Sequence, residues 1–449
     1  MKKNKFKTKL FSKNTLLGLG ALGILSSCME LKSAKEALVK NLPSAYDYLG
    51  TKKNFKALPK SSTPYKFPVS STNFLEGKTL KIDGKAPVNI EELFASTKTQ
   101  ALIIIKDGKV VYEKYFDKGG KETISNVWSV SKSYTAATLA VAVGKGFLKM
   151  DDLVLKYIPE LKGKMDPRTK VKDLINMRSG FLYNEIAGLG NPTSRIADIA
   201  YTSDVNTHIL KNIKSIAEPG TYYNYDSQAT HLVTMVISKA TGQNFVDFFK
   251  ENLWDKLQME TDGEWLTDEK GVARGFCCLK FTAMDDAKLS QCLLQGGVWR
   301  GEQLIPKWFV DQIRTNNERE GGFHYSLSFR NNTINIPVNE WDGKTPEGAR
   351  KGVEPNKIYV GSKEYWAWPY EDSDYYMQGL LGNEVYTHPA SKTIIIKRGN
   401  GLFENINQPW PEIYRAMALE EDVVELREKF GEKRIPSEVY KKKYVMPKQ

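Results

Sequence analysis

Strand-like runs lie at both ends of the body of this chain, and helix-period runs lie between them. Gln100 to Ile105 and Val110 to Phe116 flank Asp107-Gly108, the pattern of a β-hairpin. Far downstream, Asn383 to Thr387 and Thr393 to Lys397 flank Pro389 and read as two further strands. Residues 149–275 are mostly helical patterns with loops. A helix follows residue 129, with Ala136, Leu139, Ala140 and Val143 at helical spacing and Gly144 and Gly146 as its stop. Further helices are expected over Met284 to Leu294, Pro306 to Arg314 and Pro411 to Lys429. This order leaves few architectures. The terminal strands are expected to meet in one antiparallel sheet flanked by helices, with a mainly helical lobe inserted and a cleft between. The expected class is therefore α+β, with no internal repeat.

A chain of 449 residues holds two or three domain-sized units. The expected division is a signal peptide over 1–27, a tether and N-terminal segment over 28–90, one hydrolytic domain over 91–415, and a C-terminal helix and basic tail over 416–449. The formal net charge of +12 is uneven, because Lys crowds both ends. Such clusters read as targeting segments or solvated tails. No basic stripe with interleaved aromatics runs through the body, so nucleic acid is not an expected partner. The apolar run Leu16 to Leu25 is too short to span a bilayer and follows a Lys-rich start, as in a secretion signal. Leu25-Ser26-Ser27-Cys28 follows it and resembles a bacterial lipobox. Lipidation of Cys28 would tether the protein to a membrane surface in the cell envelope and leave the body soluble.

The other cysteines are Cys277, Cys278 and Cys292. Adjacent cysteines resist pairing, so all three are expected as buried small side chains. His208, His231, His324 and His388 lie far apart, with no metal-binding spacing. Neither metal nor cofactor is expected.

The chemistry centres on Ser129-Val130-Ser131-Lys132, the sole Ser-x-x-Lys of the chain. It lies where an extended segment turns into a helix. Residues three apart share a helix face, so the Lys132 amine can reach the Ser129 hydroxyl. The helix N-terminus favours developing negative charge and offers free N–H groups. A desolvated lysine there is expected to accept a proton near neutral pH. Ser131 points off that face. Alone, the tetrapeptide also fits a capping serine and a solvated lysine.

The flanking sequence, "NVWSVSKSYTAATLAVAVGKGFLKMDDLVLKYIPEL", resembles the nucleophile region of the serine β-lactamase and penicillin-binding-protein superfamily. It is most similar to the class C, esterase and 6-aminohexanoate-dimer hydrolase branch. "VKDLINMRSGF", "PGTYYNYDSQATHLVTMVISKATG" and "MDDAKLSQCLLQGGVWRGEQLIPKWFV" continue the resemblance in order over about residues 95–400. It implies the β-lactamase/transpeptidase-like fold and an acyl-enzyme on Ser129. Aligning on Pro219-Gly220 puts Tyr225 at the second motif's tyrosine, a proton relay beside Lys132. Ser227 stands where most relatives have Asn. Asp226 either orders that loop or faces solvent.

The third motif, a Lys- or His-led strand ending in Gly, aligns from Pro389 with Leu380-Leu381-Gly382, without its cation. The resemblance then implies that Gly382 lets backbone approach the substrate. It also implies that the Asn383 and Ser129 N–H groups form the oxyanion hole. Lys392-Thr393 is rejected as a displaced motif, because Ile394 follows it. The aromatics from Tyr365 to Tyr376 read as packing, or as an apolar substrate wall. The expected function is hydrolysis of a small ester or amide. The rival readings are a penicillin-recognising DD-peptidase or β-lactamase, and an inactive membrane-tethered binding protein. Oligomeric state stays open.

Overall fold

The computed structural model describes residues 54–71, 73–82, 86–185, 196–314, 325–360, 363–401, 403–406, 408–421 and 444–447. The expected signal peptide, Cys28 and most of the basic tail lie outside the described residues. Among those described, no helix is long and apolar enough to cross a membrane.

The hairpin forms as β1 (Thr99–Lys106) and β2 (Lys109–Tyr115). The helix after the Ser-x-x-Lys start is α1 (Val130–Gly144). The lobe contributes α2 (Ser227–Thr241), and α3 (Ala283–Leu294) returns to the sheet. Then come β3 (Tyr325–Ser326), β4 (Phe329–Asn331), β5 (Tyr375–Gly379), β6 (Asn383–His388), β7 (Thr393–Gly399) and α4 (Trp410–Leu419). The main sheet is seven-stranded, in the order β3-β4-β5-β6-β7-β1-β2. The strands from the two ends of the body meet at the β7–β1 ladder, antiparallel, with Ile394 opposite Ile105 and Ile396 opposite Ile103. The fold is α+β, as expected, with a mainly helical lobe inserted between the strands.

Packing explains the position of α1. From Val130 to Ala142 every residue is buried, on all faces of the helix. A helix buried all round belongs in a core, and its six polar side chains are each hydrogen-bonded. The Ser133 hydroxyl donates to Ser328 O at 2.6 Å, Thr135 to Gly275 O at 2.7 Å, and Tyr134 to Asp286 Oδ1 at 2.8 Å. Sheet residues such as Ile103 and Met377 and lobe residues such as Leu232 and Phe249 share one core with it.

Strands also form where the sequence did not mark them, and one expected helix boundary moves. Within the mostly helical region 149–275, the strand Gly263–Leu266 pairs with Phe55–Leu58 on one side and Leu279–Phe281 on the other. Ser125–Asn126 completes this second, four-stranded sheet. These strands are short, and two of the three pairings join segments far apart in sequence, so no local alternation marks them. The last helix ends at Leu419, where Glu420 adopts a left-handed φ of 60°. The aromatic-rich stretch builds strands, with Lys363–Pro369 between Thr333–Pro337 and Asn356–Val360.

Candidate active site

Ser129 stands at the tip of a turn that its neighbours hold rigidly. Ser125–Asn126 pairs with Leu279–Phe281, and the Val127 N–H continues the contact by donating to Leu279 O at 3.0 Å. Asn126 Oδ1 accepts from the Trp128 N–H at 2.8 Å, and Trp128 takes a left-handed φ of 50°. The chain then enters α1 at once, with Lys132 N donating to Ser129 O at 2.9 Å. From Ser125 to Ala142, Ser129 alone is not buried. The helix start is shut away from water except at this residue. Ser131 faces elsewhere and accepts from the Leu279 N–H at 3.1 Å.

Lys132 reaches back along the helix face. Its Nζ donates to Ser129 Oγ at 3.1 Å and to Phe276 O at 2.9 Å, and its side chain is 2% exposed. The Tyr225 ring lies 4.7 Å from the amine. Tyr225 packs edge-on to Tyr325 at 6.1 Å, and the Arg330 guanidinium lies 5.6 Å from its ring. Ser129, Lys132 and Tyr225 are therefore brought together. The neighbouring Tyr223 packs against Tyr325 at 5.4 Å.

Glu185 was not visible as a site residue in the sequence. Its Oε1 lies 3.9 Å from Lys132 Nζ. Its carboxylate accepts from the Ser227 hydroxyl at 2.6 Å and from the Ser227 N–H at 2.8 Å. Ser227 is thus buried at the start of α2, with its hydroxyl already engaged. Glu185 and Lys132 are 53 positions apart, too far for any local pattern to link them.

Asp226 is buried, which removes the solvent-facing reading. It caps α2, accepting from the N–H groups of Gln228 at 2.9 Å and Ala229 at 3.1 Å. Burial pushes its carboxyl from 3.8 up to about 7, and the nearby Glu185 charge adds to the rise. The folded protein therefore holds a proton there that the unfolded chain has lost. Stability from this group is present at acid pH and falls as pH rises between about 4 and 7. Asp226→Asn keeps the capping oxygen and removes the ionisation. Denaturant titrations at pH 5 and pH 7.5 are expected to show a smaller fall in stability for Asp226→Asn than for the wild type. Equal falls would show that Asp226 does not titrate in this way.

The third motif is displaced from its expected register. A Cβ built on Gly379 would press into the Val127 carbonyl and lie 3.2 Å from Ser129 N. Gly379, at the end of β5, is thus the glycine that lets two backbones meet at the nucleophile. Gly382 instead packs against Asn405 and Lys397, and the Asn383 side chain donates to Leu380 O at 2.7 Å. Gly382 and Asn383 therefore do not occupy the substrate side. The slip is three residues, because no charged side chain marks the motif. Met377 and Gln378 precede Gly379, and the Gln378 amide is turned away to Glu384 Oε1 at 2.8 Å. The N–H of Leu380 follows Gly379. Among the described residues, neither it nor the Ser129 N–H takes part in a turn, loop or cap backbone hydrogen bond. Backbone donors beside a nucleophile can receive the charge of a tetrahedral intermediate.

Other candidates fall to packing roles. Lys392 lies in an exposed turn, paired with Asp107 at 3.2 Å. Trp366 and Trp368 each pack on Trp341 at 5.6 Å, and Tyr370 lies under the Arg415 guanidinium. Cys277 and Cys278 are joined in a disulfide, against expectation. Cys278 there takes a left-handed φ of 77° in a buried segment that also presents the Phe276 carbonyl to Lys132. Cys292 is free and buried, and burial pushes its thiol up. Among the described residues no cluster of His, Cys, Asp and Glu could hold a metal ion.

Comparison with known proteins gives a consistent picture. Residues 89–273 match the family described as Beta-lactamase. The chain is 22% identical over 321 residues to the 6-aminohexanoate-dimer hydrolase of Paenarthrobacter ureafaciens, covering 69% of this chain and 74% of that one. A solved structure provisionally described as a 6-aminohexanoate-dimer hydrolase from Bacillus anthracis superposes with a TM-score of 0.65 at 19% identity, covering 82% of this chain and 90% of that one. A class C β-lactamase in complex with cefoxitin gives a TM-score of 0.50 at 16% identity, over 74% of this chain and 96% of that one. At these identities the structural likeness is one of fold.

Proposed function

The chain belongs to the serine β-lactamase and penicillin-binding-protein superfamily, and from this we propose that it hydrolyses an ester or linear amide through an acyl-enzyme on Ser129. One observation carries the reading: a buried amine lies 3.1 Å from the hydroxyl of the only unburied residue at the helix start. Lys132, with Tyr225 beside it, takes the Ser129 proton as Oγ attacks the carbonyl carbon. The N–H groups of Ser129 and Leu380 receive the oxyanion. The leaving group departs with a proton from the Lys132/Tyr225 pair. Water, activated by the same pair, then releases the acyl group.

The strand beside the nucleophile supports a reading of the substrate class. β5 carries no cation before Gly379, and Gln378 is committed to Glu384. Nothing on that strand would pair with a substrate carboxylate, which supports a neutral ester or a linear amide over a penicillin. The name of the Paenarthrobacter relative, 6-aminohexanoate-dimer hydrolase, supports a linear substrate over a penicillin but does not bear on the missing cation, because 6-aminohexanoate itself carries a carboxylate.

Intact mass after incubation with an ester, a linear amide and a penicillin tests the reading. A transient acyl adduct on Ser129 from the ester or amide is expected. A lasting adduct from penicillin alone would replace the substrate assignment with penicillin recognition. No adduct from any compound, and none from a fluorophosphonate, would favour the inactive binding protein.

A further inference from the structure

Leu380–Gly382 is the turn between β5 and β6, and its backbone is unusual. Leu381 takes a φ of 68° and Gly382 a φ of 79°. Glycine accepts such angles freely, but a leucine holds them only where its surroundings over-determine them. Three side chains do so here. Asn383 Nδ2 donates to Leu380 O at 2.7 Å, Asn405 Nδ2 to Leu381 O at 3.2 Å, and Lys397 Nζ to Gly382 O at 3.1 Å. Each carbonyl of the turn accepts from a different side chain, and all three side chains are buried.

The three donors are tied to one another and to the body. Lys397 Nζ also donates to Asn405 Oδ1 at 2.5 Å, and Asn405 Nδ2 to Thr97 O at 2.9 Å. The buried Glu384 supplies the charge opposite Lys397, and Tyr414 donates to Glu384 at 2.5 Å. The Trp410 ring covers the amine at 4.6 Å. Short hairpin loops ordinarily close on backbone bonds with glycine at the left-handed position. This turn is held far more firmly than its length requires, and it carries the Leu380 N–H directly after Gly379, the residue whose backbone meets Ser129.

We propose that Lys397, Asn405 and Asn383 are positioning residues that lock this turn so that the Leu380 N–H stays aimed at the oxyanion. The proposal rests on the reading of Ser129 as the nucleophile. None of the three touches the reacting atoms. They act through the carbonyls of the turn, and the amide plane that carries the Leu380 N–H follows from the turn's geometry. A small rotation there would withdraw the donor while leaving Ser129 and Lys132 in place.

The test compares a p-nitrophenyl ester with its thiono analogue, whose C=S sulfur is poorly held by an oxyanion hole. The wild type is expected to prefer the carbonyl ester strongly. Asn383→Leu is expected to lower kcat for that ester about 10- to 100-fold with KM nearly unchanged. Activity on the thiono ester should fall much less, so the preference shrinks about tenfold. Lys397→Met alone would leave the Glu384 charge buried and unpaired, so it is made together with Glu384→Gln, and the same shrinkage is expected. Loss of folded protein lowers both rates equally and leaves the ratio fixed. A fixed ratio in both variants, beside a wild type that discriminates, would overturn the clamp. A wild type that neither discriminates nor acylates Ser129 would remove the nucleophile reading, and the clamp with it.

Discussion

Ser129→Ala is expected to lose ester turnover by on the order of 10^4- to 10^6-fold, the scale seen when the nucleophile of a serine hydrolase is removed. The structure makes this substitution a clean one. The Ser129 side chain makes no capping hydrogen bond to α1, so its removal costs the helix little. Lys132 keeps its bond to Phe276 O and its place beside Glu185. The variant should therefore fold with unchanged circular dichroism, bind substrate with little change in affinity, and fail to take up a fluorophosphonate label. Turnover by the Ser129→Ala protein at the wild-type rate would sink the mechanism, since the nucleophile would then have to be another group.

Gly379→Ala is the second large effect. The new methyl group would meet the Val127 carbonyl well inside van der Waals contact and lie 3.2 Å from Ser129 N. Both neighbours are backbone, so neither can swing away as a flexible side chain would. Overpacking of this kind costs about 1–3 kcal/mol of stability. The effect on rate should be larger. β5 must shift from the start of α1, and the Leu380 N–H shifts with it. Loss of one oxyanion donor lowers kcat about 10^2- to 10^3-fold. Gly382→Ala is the informative contrast, because its methyl group would meet Asn405 and Lys397, with Lys397 Nζ at 2.6 Å. It should strain the clamped turn without touching Ser129, so its kcat loss is expected to be smaller, about 10- to 100-fold, as for Asn383→Leu. Measured melting temperatures and kcat values for the pair would separate the two roles. Equal kcat losses in both would mean that Gly379 holds no special place at the nucleophile.

The parts of this molecule that were legible in its sequence are those where local chemistry and position coincide. Ser129 and Lys132 lie one turn apart on one helix, so spacing alone could suggest their contact. The β1–β2 hairpin announced itself through Asp107-Gly108, and β6 and β7 through β-branched and aromatic residues on either side of Pro389. Glu185 and Gly379 were hidden for a different reason. Each reaches the site across a long stretch of chain, and each does so by shape or by a single oxygen, without a motif. The register slip from Gly379 to Gly382 shows the same limit, since two glycines three residues apart look alike until one is seen against Ser129. Asp226 could be read either way because capping and solvation favour the same residue type. The Cys277–Cys278 pairing depends on a local backbone conformation that composition does not report.

The ladder between β1 and β7 has a consequence for the order of events during synthesis. Ser129 and Lys132 leave the ribosome early, attached to β1 and β2. Gly379, Leu380 and the strands β5 to β7 arrive only near the end. Pairings between such distant segments form slowly, since closing a long loop of chain comes before any contact can repay it. A nascent or truncated chain thus holds a serine and its base but only one of the two donors for the charge they would create. The sheet works as a completeness check: the nucleophile is present from the start, and the means to use it arrives with the last strands.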